Sequence, residues 1–378
     1  MRNCFSIMRT YLRSGTMVAI GIVLPACASQ TPLSPQPPWS TKTGQHSEHL
    51  SGEVRKSIAG RFLLYLPQGF SRSRGQQYPL LIFLHGSGES GGTIDRVKAH
   101  GPPKFLGERP DFPFIVASPQ ADSARFGFDL DNLNFLPDQL LQQLPIDRDR
   151  IYVTGLSMGG IATYKWASSR PGTFAAIAPV SAAWDTGDAC LLKYVPIWTF
   201  HGAKDDIVKF ADGEAMVNAI EACGGDIKFT VYPEIGHPAW EPAYDDPELY
   251  AWLLAHHLDH AVAKQATIAL QARDQRFKDQ CPNVNSERTL RGLIRDISAR
   301  TPDYSQMTPP LAAMARERAE ETEGLLAKLG TLNGLAYRAT EKNGTDMYEG
   351  SFANGKANFW LLLQDDGKIS EAVVYPTP

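Results

Sequence analysis

From about Gly60 to His257, short apolar runs alternate with amphipathic stretches, and this alternation most narrowly constrains how the chain can fold. Runs at 61–66, 80–84, 114–117, 151–154, 175–180, 197–200 and 227–232 are short and mostly apolar, as buried strands are. Helical candidates fall between them at 133–144, 158–168, 213–222 and 247–257. Strand–helix alternation of this kind predicts an α/β fold, a mostly parallel sheet with helices on both faces.

A second unit begins near Asn285 with the opposite order. Two amphipathic helices, at 287–299 and 310–329, precede alternating strands separated by Asn343-Gly344, Asn354-Gly355 and Asp366-Gly367. Each dipeptide supplies the positive φ of a tight hairpin turn, so a small α+β domain with an antiparallel meander is expected. A polar, helical-looking connector at 261–284 joins the two units.

The N-terminus reads as an export signal. Arg2, Arg9 and Arg13 form a basic start, and a short apolar stretch at 17–24 runs into Leu24-Pro25-Ala26-Cys27. Two cleavage readings are open. Ala26-Cys27-Ala28 fits an A-x-A site that releases a soluble protein. Leu24-Pro25-Ala26-Cys27 resembles a bacterial lipobox, which makes Cys27 a lipidated first residue and gives the chain a lipid anchor. The expected organisation is a signal at 1–27, a linker at 28–50 and a catalytic domain at 51–260. The connector at 261–284 and an accessory domain at 285–378 follow. The protein is then periplasmic, a cell-surface lipoprotein, or secreted. Export permits a disulfide; Cys190 and Cys223 flank one predicted strand, which favours that pair over those with Cys281. A net charge of −4 without a Lys/Arg run speaks against nucleic acid and anionic membrane surfaces as partners.

The chemistry concentrates in three loops and one glycine-rich turn. Gly155-Leu156-Ser157-Met158-Gly159 follows the strand at 151–154 and leads into a helical stretch. G-x-S-x-G in that setting is a nucleophile elbow, whose sharp turn lifts the Ser157 hydroxyl above the sheet. The plainer reading is a serine that only caps a helix. A hydroxyl needs a base to become nucleophilic. The partners follow in the order Ser, acid, His: Asp205 in His201-Gly202-Ala203-Lys204-Asp205-Asp206-Ile207-Val208, and His237 in Tyr232-Pro233-Glu234-Ile235-Gly236-His237-Pro238. Both loops leave the carboxyl ends of predicted strands, where catalytic loops gather in such sheets. Leu84-His85-Gly86-Ser87-Gly88-Glu89-Ser90-Gly91-Gly92 follows an earlier strand. It lacks the Lys-Ser/Thr ending of a phosphate loop. It is read instead as an oxyanion loop, the backbone N–H of Ser87 acting with that of Met158.

Together these motifs, with Gly236-His237-x-x-Trp240, resemble the phospholipase/carboxylesterase and dienelactone-hydrolase branch of the α/β-hydrolases, over about 51–257. Predicted-peptidase, polyhydroxybutyrate-depolymerase-like and feruloyl-type esterases are similar in style. The resemblance implies Ser157 as nucleophile, Asp205 (rather than Asp206) as acid, His237 as base, and Ser87 and Met158 as oxyanion donors, with no cofactor. The part at 285–374 is similar, by pattern, to nuclear-transport-factor-like domains. Lidded lipases of this superfamily carry a cap between the strands that end here near Val180 and start near Pro196. Only a short connection fits there, so no large cap is expected.

Other residues have simpler readings. His201 and His85 are expected to pack or to brace their loops. His256, His257 and His260 end a helix without a carboxylate or Cys at ligand spacing, so no metal site is expected. Trp240 and Trp184 follow strand ends and are candidates for the wall of a substrate pocket. Glu89 is read either as a contact for a polar substrate group or, more plainly, as an exposed loop carboxylate. The expected activity is hydrolysis of small-molecule or polymer-borne esters, short-chain or aromatic. A serine peptidase on the same fold and a surface binding module with incidental hydrolysis are the rival readings. The sequence leaves the oligomeric state open.

Overall fold

The computed structural model describes residues 43–53, 57–72, 75–125, 127–364 and 366–377. The export signal, Cys27 and the linker up to residue 42 lie outside the described residues. The seven apolar runs become the strands β2 (Ser57–Leu66), β3 (Tyr78–Leu84), β4 (Ile115–Pro119), β5 (Ile146–Leu156), β6 (Ala176–Val180), β7 (Ile197–Gly202) and β8 (Ile227–Tyr232), and a further strand, β1 (Gly44–Glu53), precedes them. They form one eight-stranded sheet in the order β1-β2-β4-β3-β5-β6-β7-β8. β2 runs against both of its neighbours, and pairing is parallel from β4 through β8.

Strand β3 shows why the continuous apolar runs were needed. Successive side chains point to opposite faces. Leu80, Ile82 and Leu84 enter one apolar layer with Leu133, Leu136 and Trp166, while Leu81 and Phe83 enter the other with Tyr244 and Leu249. Both faces are covered, so neither parity can be polar.

β1 corrects the expectation of a linker reaching residue 50. Its sequence lacks apolar alternation, and it is held at the sheet edge by backbone pairing with β2, from Gly44↔Leu66 to Glu53↔Ser57. The expected helix at 310–329 is also two helices, Pro309–Glu317 and Ala319–Leu329, broken where Arg318 leaves the helical region (φ −100°, ψ 11°). The break lets the second segment lie against the helix Ser286–Ser298, with Leu290, Ile294, Leu326 and Leu329 in a common core. That core also packs under a separate antiparallel sheet, β9 (Leu332–Thr340), β10 (Asp346–Phe352), β11 (Gly355–Leu363) and β12 (Ile369–Thr377), in meander order. Gly344 and Gly367, in two of the expected turns, have φ of 95° and 83°.

The connector is a single helix, His260–Asp279, tied to both units through neighbouring arginines. Arg273 Nη1 donates to Asp188 Oδ1 of the large unit at 2.5 Å, and Arg276 Nη2 to the buried Asp346 Oδ1 of β10 at 2.7 Å. Mostly buried pairs of this type add little net stability, but removing one partner is costly because the other charge is left unpaired. Asp346 is further held by Thr340 Oγ1 and the Asn283 backbone N–H.

Cys190 and Cys223 form a disulfide with Cα atoms 5.1 Å apart, closing a sequence separation of 33. It joins the short helix Ala189–Leu192 to the end of the helix Phe210–Ala222. Cross-linking a loop of this length raises stability by about 2–4 kcal/mol, chiefly through the unfolded chain. The C190A/C223A variant is therefore expected to lose that much in denaturant titration; an unchanged midpoint and slope would contradict it.

Candidate active site

The elbow is a backbone problem before it is a chemical one. Ser157 sits between the end of β5 and the helix Met158–Ser169 with φ 51° and ψ −118°, a conformation that side-chain-bearing residues rarely adopt. Its N–H donates to Val180 O and its carbonyl accepts from Ile161 N, both at 2.9 Å, which holds the strained turn on both sides. The flanking glycines are required by space. A Cβ on Gly159 would lie 2.0 Å from the Leu84 carbonyl oxygen, and one on Gly155 would lie 2.4 Å from the Gly159 carbonyl oxygen.

The turn brings the Ser157 Oγ to 2.9 Å from His237 Nε2, and His237 Nδ1 lies 2.8 Å from Asp205 Oδ2. A carboxylate only accepts, so Nδ1 carries the proton and the neutral ring leaves Nε2 free to accept from the hydroxyl. Asp205 is buried, and its other oxygen accepts from the backbone N–H groups of Ile207 and Val208, each at 3.0 Å. Asp206 is exposed. The two aspartates are thus separated by burial, and Asp205 is the one that meets the imidazole. His201, also buried, donates from Nε2 to Val208 O at 2.9 Å and so braces the Asp205 loop.

Ser87 opens a 3₁₀ turn, Ser87–Glu89, and Met158 opens the helix after the elbow. At such first positions the N–H has no intrahelical acceptor and is available to an anion. The glycine-rich loop is held from beneath by groups that sequence reading did not single out. Gln120 Nε2 donates to Glu89 O, Gly91 O and Thr93 O at 2.9, 2.7 and 3.1 Å. Glu89 is itself buried, correcting the expectation of an exposed carboxylate, because the 3₁₀ turn rolls its side chain beneath Gly86. Its Oε1 lies 3.9 Å from His100 Nε2, and His100 in turn pairs with Glu241 at 2.8 Å. Ser181 was also missed. It is buried at φ 49° after β6, and its Oγ donates to the His237 carbonyl at 2.7 Å, fixing the height of the imidazole loop.

Of the two tryptophans, Trp240 stands edge-on to His237, with ring centroids 5.1 Å apart at 90°. Trp184 is engaged elsewhere: its N–H donates to Asp188 Oδ2 at 2.8 Å, and its ring packs at the core beneath Lys165. His256 and His260 are occupied by Trp252 O and Asp149. Among the described residues no group of three or more His, Cys, Asp or Glu converges as a metal site.

The sheet order, the strand–turn–helix seat of Ser157 and the order Ser, Asp, His define an α/β-hydrolase fold with an additional C-terminal antiparallel sheet. Residues 111–246 match the phospholipase/carboxylesterase family. The bifunctional acetylxylan esterase/xylanase XynS20E of Neocallimastix patriciarum is 27% identical over 170 residues, 43% of this chain and 24% of that protein. The carboxylesterase SOBER1 of Arabidopsis thaliana is 27% identical over 135 residues, 34% of this chain and 58% of that protein. The chain therefore spans well under two thirds of the length of each. Among solved structures, a thermostable esterase is 25% identical with a TM-score of 0.48, covering 56% of this chain and 63% of that one.

His85 supplies a pH test of the loop's bracing. It is buried, its Nδ1–H donates to Gly86 O at 2.6 Å, and its Nε2 accepts from Ala121 N at 2.9 Å. Burial pushes its pKa down to about 4, with the Gly86 bond opposing and the Arg96 charge adding to the effect. The unfolded chain takes up this proton from about pH 6.5 downward. The folded chain resists until about pH 4, so stability falls as pH drops across that interval. Between pH 7 and 4.5 the contribution is about 2–3 kcal/mol. Urea unfolding of H85Q is expected to show an acid-induced loss smaller by that amount; an equal loss in both proteins would contradict the assignment.

Proposed function

We propose that the chain is a serine carboxylic-ester hydrolase that works through an acyl-enzyme. The observation that carries this reading is the continuous relay from Ser157 Oγ through His237 to Asp205, at 2.9 and 2.8 Å. Ser157 attacks the ester carbonyl while His237 Nε2 takes its proton. Negative charge on the tetrahedral oxygen is met by the N–H groups of Ser87 and Met158. His237 then passes the proton to the leaving alcohol, and water repeats the sequence on the acyl-enzyme. Asp205 holds the tautomer and stabilises the imidazolium. The esterase names of the two curated relatives and the carboxylesterase family match support the same reaction class.

The segment between β6 and β7 holds only a 3₁₀ turn, Thr186–Asp188, and the helix Ala189–Leu192. Without a large insertion there, the site suits accessible esters, short-chain, aromatic or polymer-borne, and Trp240 is read as one wall of it. The disulfide fits an oxidising compartment, which supports export by the N-terminal signal, with Cys27 as first residue in the lipidated form. The C-terminal unit is read as a nuclear-transport-factor-like accessory domain, on its order of helices before an antiparallel meander.

Steady-state kinetics on p-nitrophenyl acetate and butyrate, beside an aminoacyl p-nitroanilide, test the reaction class. Ester turnover with little or no anilide cleavage is expected. S157A should lower kcat by on the order of 10³–10⁶, and D205N by on the order of 10⁴ with little change in KM. Ester turnover that survives S157A, or anilide cleavage that exceeds ester cleavage, would contradict the reading.

A further inference from the structure

The nucleophile and the base of the relay are held by two adjacent residues, Val180 and Ser181. Val180 closes β6, and its carbonyl accepts the Ser157 N–H at 2.9 Å. The Ser181 hydroxyl donates to the His237 carbonyl at 2.7 Å. The Ser181 N–H donates at 2.8 Å to Phe200 O of β7, the strand whose end leads into the Asp205 loop. Nucleophile, base and the strand that carries the acid are therefore each one hydrogen bond from this dipeptide. The helix after the elbow packs onto the same place. A Cβ on Gly160 would lie 2.7 Å from both Val180 O and the Ala182 Cβ.

Two of these three bonds are made by the backbone and do not depend on which side chain stands at 181. The third is made by the hydroxyl alone. The His237 carbonyl also accepts from Ala239 N at 2.8 Å, but that bond spans two residues and moves with the loop. The Ser181 hydroxyl instead ties the carbonyl to a residue 56 positions away, at the end of a central strand. Ser181 is fully buried with φ 49°. Glycine takes up such a φ freely, whereas a side chain there is disfavoured. The chain thus carries a side chain where its backbone favours none, and the one polar group of that side chain is spent on the base. Strained residues of this kind gather at functional sites.

We propose that Ser181 is a positioning residue for catalysis, its hydroxyl setting the place of the imidazole through the His237 backbone. The proposal rests on the ester-hydrolase reading given above. His237 must keep Ser157 Oγ and Asp205 Oδ2 in reach together, at 2.9 and 2.8 Å, so its backbone has little freedom to move. A misplacement of about 1 Å caused by a change away from the chemistry can lower a rate on the order of 10²-fold. Ser181 acts through His237 and not on the reacting atoms. Its loss therefore falls on the proton transfers that set kcat, and KM is left nearly unchanged.

S181A and S181G in the full chain test this. Both remove the hydroxyl, and S181G also relieves the backbone. Each should lower kcat on p-nitrophenyl acetate at least ten-fold, with KM within two-fold of the wild-type value. The rate at which a fluorophosphonate labels Ser157 should fall at least ten-fold as well, because labelling needs the same base. S181G should nevertheless unfold at a urea midpoint at or above that of S181A, so that activity does not follow stability. Should S181A fail to fold, S181G decides, since glycine suits the backbone at 181. Wild-type rates of labelling and turnover in S181G, or a loss confined to KM, would overturn the proposal and leave the ester reading standing. A wild-type chain in which Ser157 is not labelled would overturn the relay, and the role of Ser181 with it.

Discussion

The end of β3 and the start of the helix after Ser157 approach so closely that no side-chain carbon fits between them, and the rest of the site depends on that contact. At Gly159 a Cβ would sit 2.0 Å from the Leu84 carbonyl oxygen. The same approach places the glycine-rich loop, which starts at His85, beside the elbow. Ser87 and Met158, the proposed oxyanion donors, each open one of the two segments that this contact brings together. The parallel register of β3 and β5, with Leu84 opposite Gly155, sets this height before any catalytic side chain is considered. Apolar layers on both faces of the sheet hold that register.

Around this contact the polar groups are arranged in shells of decreasing chemical demand. Asp205 uses both oxygens, one for the imidazole and one for two backbone N–H groups, so its orientation is over-determined. Ser181 and Gln120 lie outside the relay, yet they hold the carbonyl of His237 and the carbonyls of Glu89, Gly91 and Thr93 in the glycine-rich loop. Such hydrogen bonds set the position of loops that would otherwise have several low-energy forms.

Most of this was legible in the sequence where one physical cause dominated. The apolar runs of β3 to β7 are buried on both faces and announce those strands directly, and the edge strand β8, only partly buried, still shows its run. Ser157, Asp205 and His237 could be read because glycines and loop positions at strand ends accompany each of them. What could not be read depended on distant partners. β1 is polar and exists through backbone pairing to β2, which leaves no periodicity to detect. Glu89 looked exposed because a glycine-rich loop gives no sign that its 3₁₀ turn will roll a carboxylate inward. Ser181, Gln120 and the pairing of Arg273 and Arg276 with Asp188 and Asp346 involve residues of types common on any surface. The break at Arg318 was hidden because both halves continue the same helical pattern.

The acyl-enzyme is the most direct test of what Ser157 does. The protein is mixed with a slowly deacylating p-nitrophenyl ester, quenched in acid at short times and digested for mass spectrometry. The expected result is a mass increase equal to the acyl group on the peptide containing Ser157, appearing with the first burst of p-nitrophenol and lost as turnover ends. Hydrolysis that proceeds while Ser157 stays unmodified, or an acyl group found on another residue, would contradict it.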